Sequence, residues 1–125
     1  KRLTNIKDQT GIITRKDIHP GYQVVQSTHS IADFAYQHYN TFLQWKEESN
    51  SIICLSIKSE PKLLQLYDKL KELTPSVKFY EPDVDEFTSI CVYGTPEVRK
   101  ILSNLPLILK QETNQLKLAE LKKAV

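Results

Sequence analysis

Residues 11–39 read GIITRKDIHPGYQVVQSTHSIADFAYQHY, and this stretch decides the fold. Residues 11–15 are short, apolar and β-branched, which predicts a buried strand. Residues 16–21 contain Asp17, Pro20 and Gly21, a composition typical of a turn. Residues 22–39 lack glycine and proline, and their apolar side chains recur at helical spacing, which predicts a helix. The stripe expected to face the core comprises Val24, Val25, Thr28, Ile31, Ala32, Ala35 and Tyr36.

The rest of the chain alternates in the same way. Residues 52–57 form an almost unbroken apolar run, which predicts a central strand, and further strands are predicted at 77–80 and 89–93. Helices are predicted at 41–48, at 60–73 and at 95–105. The second has Ser59 as its N-cap and Pro61 in its first turn, and the third opens with Thr95 and Pro96 in the same two roles. The last two strands could pair as a hairpin or lie apart, and periodicity leaves both open. This order predicts a single α/β domain with three α/β/α layers, a mixed sheet of about four strands and helices on both faces.

Length and composition limit the functional classes. At 125 residues, with 40% apolar and 26% charged residues, the chain matches one globular domain, which we expect at residues 1–110. We expect residues 111–125 to form an amphipathic helical tail, and its removal should lower the melting temperature by only a few degrees. No apolar run approaches the ~20 residues of a membrane span and no signal sequence is evident, so the expected location is the cytoplasm. Both cysteines, Cys54 and Cys91, lie in apolar runs and are expected to be buried thiols.

Two polar features are candidates for chemistry, since metal-site spacings, glycine-rich phosphate loops and nucleophile elbows are absent from the sequence. The helical spacing of Tyr22, Gln26, His29 and Asp33 puts them on one face near a helix start, where backbone N–H groups favour anions. This face could equally be solvated, with His29 bonded to Asp33. The acidic loop at 81–86 follows a strand, where α/β sheets place functional groups, but it could also be a solvated charge run.

Residues 12–30 resemble the opening of the type II peptidyl-tRNA hydrolases. In that family a strand ending in Arg-x-Asp precedes Gly-Lys-x-Ala-Ala-Gln-x-x-His-Ala at a helix start, and Gly21, Gln26 and His29 match by position. The resemblance covers roughly residues 10 to 110. Tyr22 stands at the position of the motif lysine, and the segment 81–83 replaces the family's acidic loop one residue out of step.

The resemblance implies hydrolysis of the ester between a peptide and the 3′ end of tRNA, without a metal or cofactor. It implies that His29 and a carboxylate, Asp83 in first place and Glu81 in second, position the water. The Gln26 amide and helix N–H groups would then steady the oxyanion. The substrate contacts expected beside them are Tyr22, Thr88 or Ser89, and a basic approach for tRNA at Lys16, Arg15 and Lys78. The competing hypothesis is a non-catalytic RNA- or protein-binding module on the same fold, and a homodimer is left open by the sequence.

Overall fold

The computed structural model describes residues 8–110, so the predicted tail lies outside the described residues. Its strands and helices follow the alternating order that the sequence predicts. They are β1 (Gln9–Arg15), α1 (Pro20–Gln37), α2 (Tyr39–Glu48), β2 (Ile52–Ile57), α3 (Glu60–Leu70), β3 (Ser76–Glu81), β4 (Glu86–Gly94) and α4 (Pro96–Leu102). Within this part of the chain, no helix combines the length and apolarity needed to cross a membrane.

The four strands form one mixed sheet in the order β2-β1-β4-β3. β1 pairs with β2 in parallel and with β4 antiparallel, and β3 pairs with β4 antiparallel. The last two strands are therefore a hairpin, which resolves the alternative that the sequence left open. Because β1, β2 and β3 run in the same direction, their carboxyl ends share one edge of the sheet.

Hydrophobic clusters cover both faces of the sheet, which confirms the three-layer α/β/α fold class. Neighbouring residues of a strand point to opposite faces, so Ile12 and Ile13 of β1 belong to different clusters. One cluster joins the sheet to α3 and α4 through Ile13, Leu55, Leu63, Leu70, Ile90, Val92, Val98 and Leu102. The other joins it to α1 through Ile12, Phe34, Val77 and Cys91.

The prediction that residues 52–57 form the central strand is wrong, because β2 lies at an edge of the sheet. Its apolar composition has a local explanation. The segment after α4 runs along the outer side of β2, where the Ser56 N–H donates to the Pro106 carbonyl at 2.9 Å and the Ile108 N–H donates to the Cys54 carbonyl at 3.0 Å. Leu55 is buried in the cluster beneath α3 and α4, so the strand is covered although it lies at the edge.

The predicted core stripe of α1 is wrong for most of its residues, although Ile31 packs against the cluster on this face of the sheet. Val24, Val25 and Tyr36 are exposed, and the buried side of the helix is formed mainly by Gln23, Gln26, Ser27, Ser30 and Phe34. The sheet beneath this helix presents hydroxyl groups that pair with it. The Thr14 and Ser27 hydroxyls, for example, lie 2.7 Å apart and are buried. A polar helix face can be buried here because its groups find hydrogen-bond partners.

Candidate functional site

An irregularity in the hairpin directs two hydroxyls toward α1. Phe79 of β3 pairs with Ser89, and Tyr80 pairs with Phe87, so Thr88 is an extra residue in β4. Such a bulge re-aims side chains. The Thr88 hydroxyl donates to Oε1 of Gln26 at 2.5 Å, and the Ser89 hydroxyl donates to the Gln26 carbonyl at 2.8 Å. Both hydroxyls are buried and hydrogen-bonded to Gln26, so they support α1, whereas the sequence predicted an exposed hydroxyl at the substrate.

The Gln26 side chain links the bulge to the end of β3. Its Nε2 donates to Oε1 of Glu81 at 3.0 Å, while its Oε1 accepts from Thr88. We call the series Thr88–Gln26–Glu81 the buried chain. The sequence predicted that the Gln26 amide would steady an oxyanion. Gln26 is completely buried, so its amide is not available at the surface for that contact. Its geometry instead makes it a positioning residue for Glu81.

Glu81 is the carboxylate that the structure brings to Gln26, with only 8% of the residue exposed. Its Oε2 accepts the backbone N–H of Asp83 at 3.2 Å. The hydrogen bond from Gln26 holds the pKa of Glu81 below its usual value, helped by the Asp83 N–H and by the His29 ring, and opposed by burial. The structure therefore favours Glu81 over Asp83 as the functional carboxylate, whereas the sequence put Asp83 first. Asp83 is exposed and contributes its backbone to Glu81, whereas Glu81 carries the oriented, ionised carboxylate.

The His29 ring lies on the same side of the sheet as Glu81. It stacks on Phe79 with ring centroids 4.6 Å apart and planes inclined by 11°, which fixes the plane of an otherwise exposed imidazole. Within residues 8–110, His29 forms no hydrogen bond with Asp33, and its contact is the Phe79 ring. The sequence does not mark Phe79 as a site residue, because it is one apolar residue within a strand. Only the fold shows that its ring stacks on His29.

Tyr22 completes the cluster near the start of α1. Burial, followed by the negative charges of Glu81 and Asp83, raises the pKa of its phenol. The hydroxyl therefore stays protonated at neutral pH and remains a donor beside two carboxylates. Tyr22 and His29 thus lie within electrostatic reach of Glu81, which contacts Gln26 and the Asp83 backbone directly; we call Tyr22, His29, Glu81 and Asp83 the cluster.

The basic residues expected near this cluster are arranged differently. Arg15 is buried and donates to both carboxylate oxygens of Asp17 at 2.9 and 3.0 Å, to Glu86 at 2.7 Å and to the Phe87 carbonyl at 3.0 Å. These contacts raise its pKa and leave it unsuited to bind a phosphate. Lys78 lies on the opposite face, with its ammonium 4.6 Å from the centroid of the Phe87 ring. Lys16 remains exposed.

The first turn of α1 offers less to an anion than the sequence suggested. Pro20 has no N–H, the N–H of Gly21 donates to Nδ1 of His19 at 3.1 Å, and that of Gln23 donates to the His19 carbonyl at 2.9 Å. The expectation that these helix N–H groups steady an oxyanion is therefore wrong for Gly21 and Gln23.

Chemically, the cluster combines an ionised carboxylate, an imidazole of fixed plane and a protonated phenol. Within the described part of the chain, no three His, Cys, Asp or Glu side chains are grouped so that they could hold a metal ion. No protein-family model matches this chain, and no curated protein matches it at a significant level. What the molecule does must therefore be inferred from its own residues and contacts.

Proposed function

We propose that this protein hydrolyses the ester that joins a peptide to the 3′ end of tRNA. The observation that carries the proposal is the buried chain, which holds the Glu81 carboxylate ionised and within electrostatic reach of His29. The amide of this fully buried glutamine accepts a hydrogen bond from a hydroxyl and donates one to the carboxylate. These two bonds fix the direction of the carboxylate. Such fixed direction is what general acid–base chemistry requires.

The reaction needs a water molecule, a proton acceptor and a donor for the oxyanion. Glu81 and His29 orient the water, and its oxygen forms a bond to the ester carbonyl carbon while its proton passes to the His29 imidazole, whose positive charge the ionised Glu81 carboxylate stabilises. The protonated phenol of Tyr22 donates to the oxygen that becomes negative. The bond to the ribose 3′ oxygen then breaks, this oxygen takes the proton, and the peptide leaves as a carboxylic acid.

The test is hydrolysis of an N-blocked aminoacyl-tRNA, measured as release of the blocked amino acid. His29→Ala should reduce turnover roughly 100-fold or more, the effect expected for loss of a positioned acid or base. Thr28→Val, a change at the neighbouring exposed residue of the same helix, is the control and should keep full turnover. Equal turnover of the two variants would contradict the proposal.

A non-catalytic RNA-binding module is the second candidate function. The observation in its favour is that, within residues 8–110, the cluster contains no lysine or arginine. Tyr22 stands at the motif-lysine position, and Arg15 forms ion pairs with Asp17 and Glu86. Binding of tRNA without any release of the amino acid would select the module over the enzyme.

A further inference from the structure

Two adjoining cavities lie at the carboxyl ends of β1 and β2. Their volumes are about 420 and 300 Å³, and they share Lys16, Ser56 and Pro106 as lining residues. We call them together the lysine groove. After β1 the chain continues into α1 on one face, and after β2 it continues into α3 on the other face. Ligands of α/β proteins bind in such a crevice, where connections diverge from the ends of neighbouring parallel strands.

The groove is positively charged. Among the described residues that line it, four are lysines, namely Lys16, Lys58, Lys62 and Lys110, and none carries a carboxylate. Net charge could not reveal this, because the whole chain carries only +2. A concentration of one sign of charge in a concave site attracts anions.

A second and independent feature is a buried, unpaired acceptor on Gln23, a residue that lines the groove. Gln23 lines the larger cavity and is only 4% exposed. Its Nε2 donates to the Ile18 carbonyl at 2.7 Å, which fixes Oε1 as the acceptor end of the amide. Within residues 8–110, this oxygen has no hydrogen-bond partner. Buried polar atoms are nearly always paired, so a turn of the Gln23 amide toward the cavity would let this acceptor pair with a donor on a ligand.

We propose that the lysine groove binds the ribose–phosphate backbone of single-stranded RNA. The lysines neutralise phosphates, and Oε1 of Gln23 accepts a hydrogen bond from a ribose 2′-hydroxyl after a small shift of its amide. The choice of RNA rests on the proposed function, whereas the demand for an anion that also carries a donor follows from the groove itself. The 2′-hydroxyl is the group that lets a protein distinguish RNA from DNA.

The position of the groove relative to Glu81 suits one continuous strand of RNA. The carboxyl end of β3, which carries Glu81, lies at the same edge of the sheet, with β4 between β3 and β1. At about 4.8 Å per strand, the groove and Glu81 are separated by roughly 12 Å along this edge. An RNA 3′ end at Glu81 would therefore place a preceding nucleotide in the groove.

The experiment is fluorescence anisotropy with a labelled RNA tetranucleotide and the DNA of the same sequence, at several salt concentrations. Neither probe carries an ester, so binding is read independently of hydrolysis. We expect RNA to bind at least about 5-fold more tightly than DNA. Three phosphodiesters at about 0.7 each predict a slope of about −2 for log K against log salt.

Lys16→Ala should weaken RNA binding and reduce the size of that slope by about 0.7, as loss of one phosphate contact would. Lys46→Ala on α2, which does not line the groove, is the matched control and should leave both quantities unchanged. Equal affinity for RNA and DNA would overturn the pairing of Gln23 with a hydroxyl. The RNA site would be overturned by an absence of binding or by equal effects of the two lysine variants. It would also be overturned if inorganic phosphate or polyglutamate competed at the same concentration as RNA.

Discussion

Thr88→Val tests whether the buried chain exists. Thr88 and Gln26 are both completely buried, and the threonine hydroxyl donates to Oε1 of Gln26 at 2.5 Å. Valine keeps the shape and the β propensity but removes the donor, so the glutamine oxygen is left without its partner. Such a loss costs about 1–3 kcal/mol of unfolding free energy. At about 4 °C per kcal/mol for a domain near 100 residues, the melting temperature should fall by about 4–12 °C.

The matched control is Thr28→Val, which makes the same chemical change at an exposed position of α1. Its hydroxyl donates to the Val24 carbonyl within the helix and can be replaced by water, so the expected loss is below about 0.5 kcal/mol. Urea unfolding and calorimetry on both variants give the comparison. Equal losses for the two variants would refute the hydrogen bond between Thr88 and Gln26, and with it the fixed direction of Glu81.

Three further predictions concern charge and reactivity. Tyr22→Lys should leave ester hydrolysis equal or increase it, because it restores the cation of the resembled motif, and initial rates at fixed tRNA concentration measure this. The depressed pKa of Glu81 means that it adds stability above its ordinary value of about 4.3, and that this contribution is lost as pH falls through the folded pKa. Glu81→Gln should therefore show a smaller drop in melting temperature between pH 6 and pH 3 than the unmodified protein. Burial raises the pKa of both thiols, that of Cys91 more than that of Cys54. A thiol reagent at pH 8 should therefore label Cys54 first and Cys91 only on unfolding. Rapid labelling of Cys91 in the folded protein would contradict its burial.

The element order could be predicted from the sequence because apolar periodicity and proline punctuation are local properties. Pro61 and Pro96 each lie in the first turn of a helix, as predicted for a residue that lacks an N–H. Pro20 also begins a helix, although its neighbours Asp17 and Gly21 predicted a turn. The strand order could not be predicted in the same way. An apolar run such as 52–57 looks the same whether a neighbouring strand or a closing segment covers it, and here the segment at Pro106 does so.

The site was harder to predict for a different physical reason. Apolar spacing assigned Val24 and Val25 to the core, but α1 buries polar side chains against hydroxyls of the sheet, and such pairing depends on contacts between distant residues. The bulge at Thr88 is also invisible in the sequence, since it arises from the register of β3 against β4. The resemblance pointed to Gln26 and His29, whereas only the fold separates a positioning residue from one that faces the substrate.

The most direct test of the central claim compares Glu81→Gln with Asp83→Asn in the hydrolysis of an N-blocked aminoacyl-tRNA. Each change removes one negative charge from the carboxyl end of β3 or the turn that follows it, and keeps the size of the side chain. Glu81 is the carboxylate that Gln26 orients, while Asp83 is exposed and supports Glu81 through its backbone. We predict that Glu81→Gln lowers turnover roughly 100-fold or more and that Asp83→Asn keeps it within a few-fold of the unmodified protein. Full turnover in Glu81→Gln, or a larger loss in Asp83→Asn, would contradict the account.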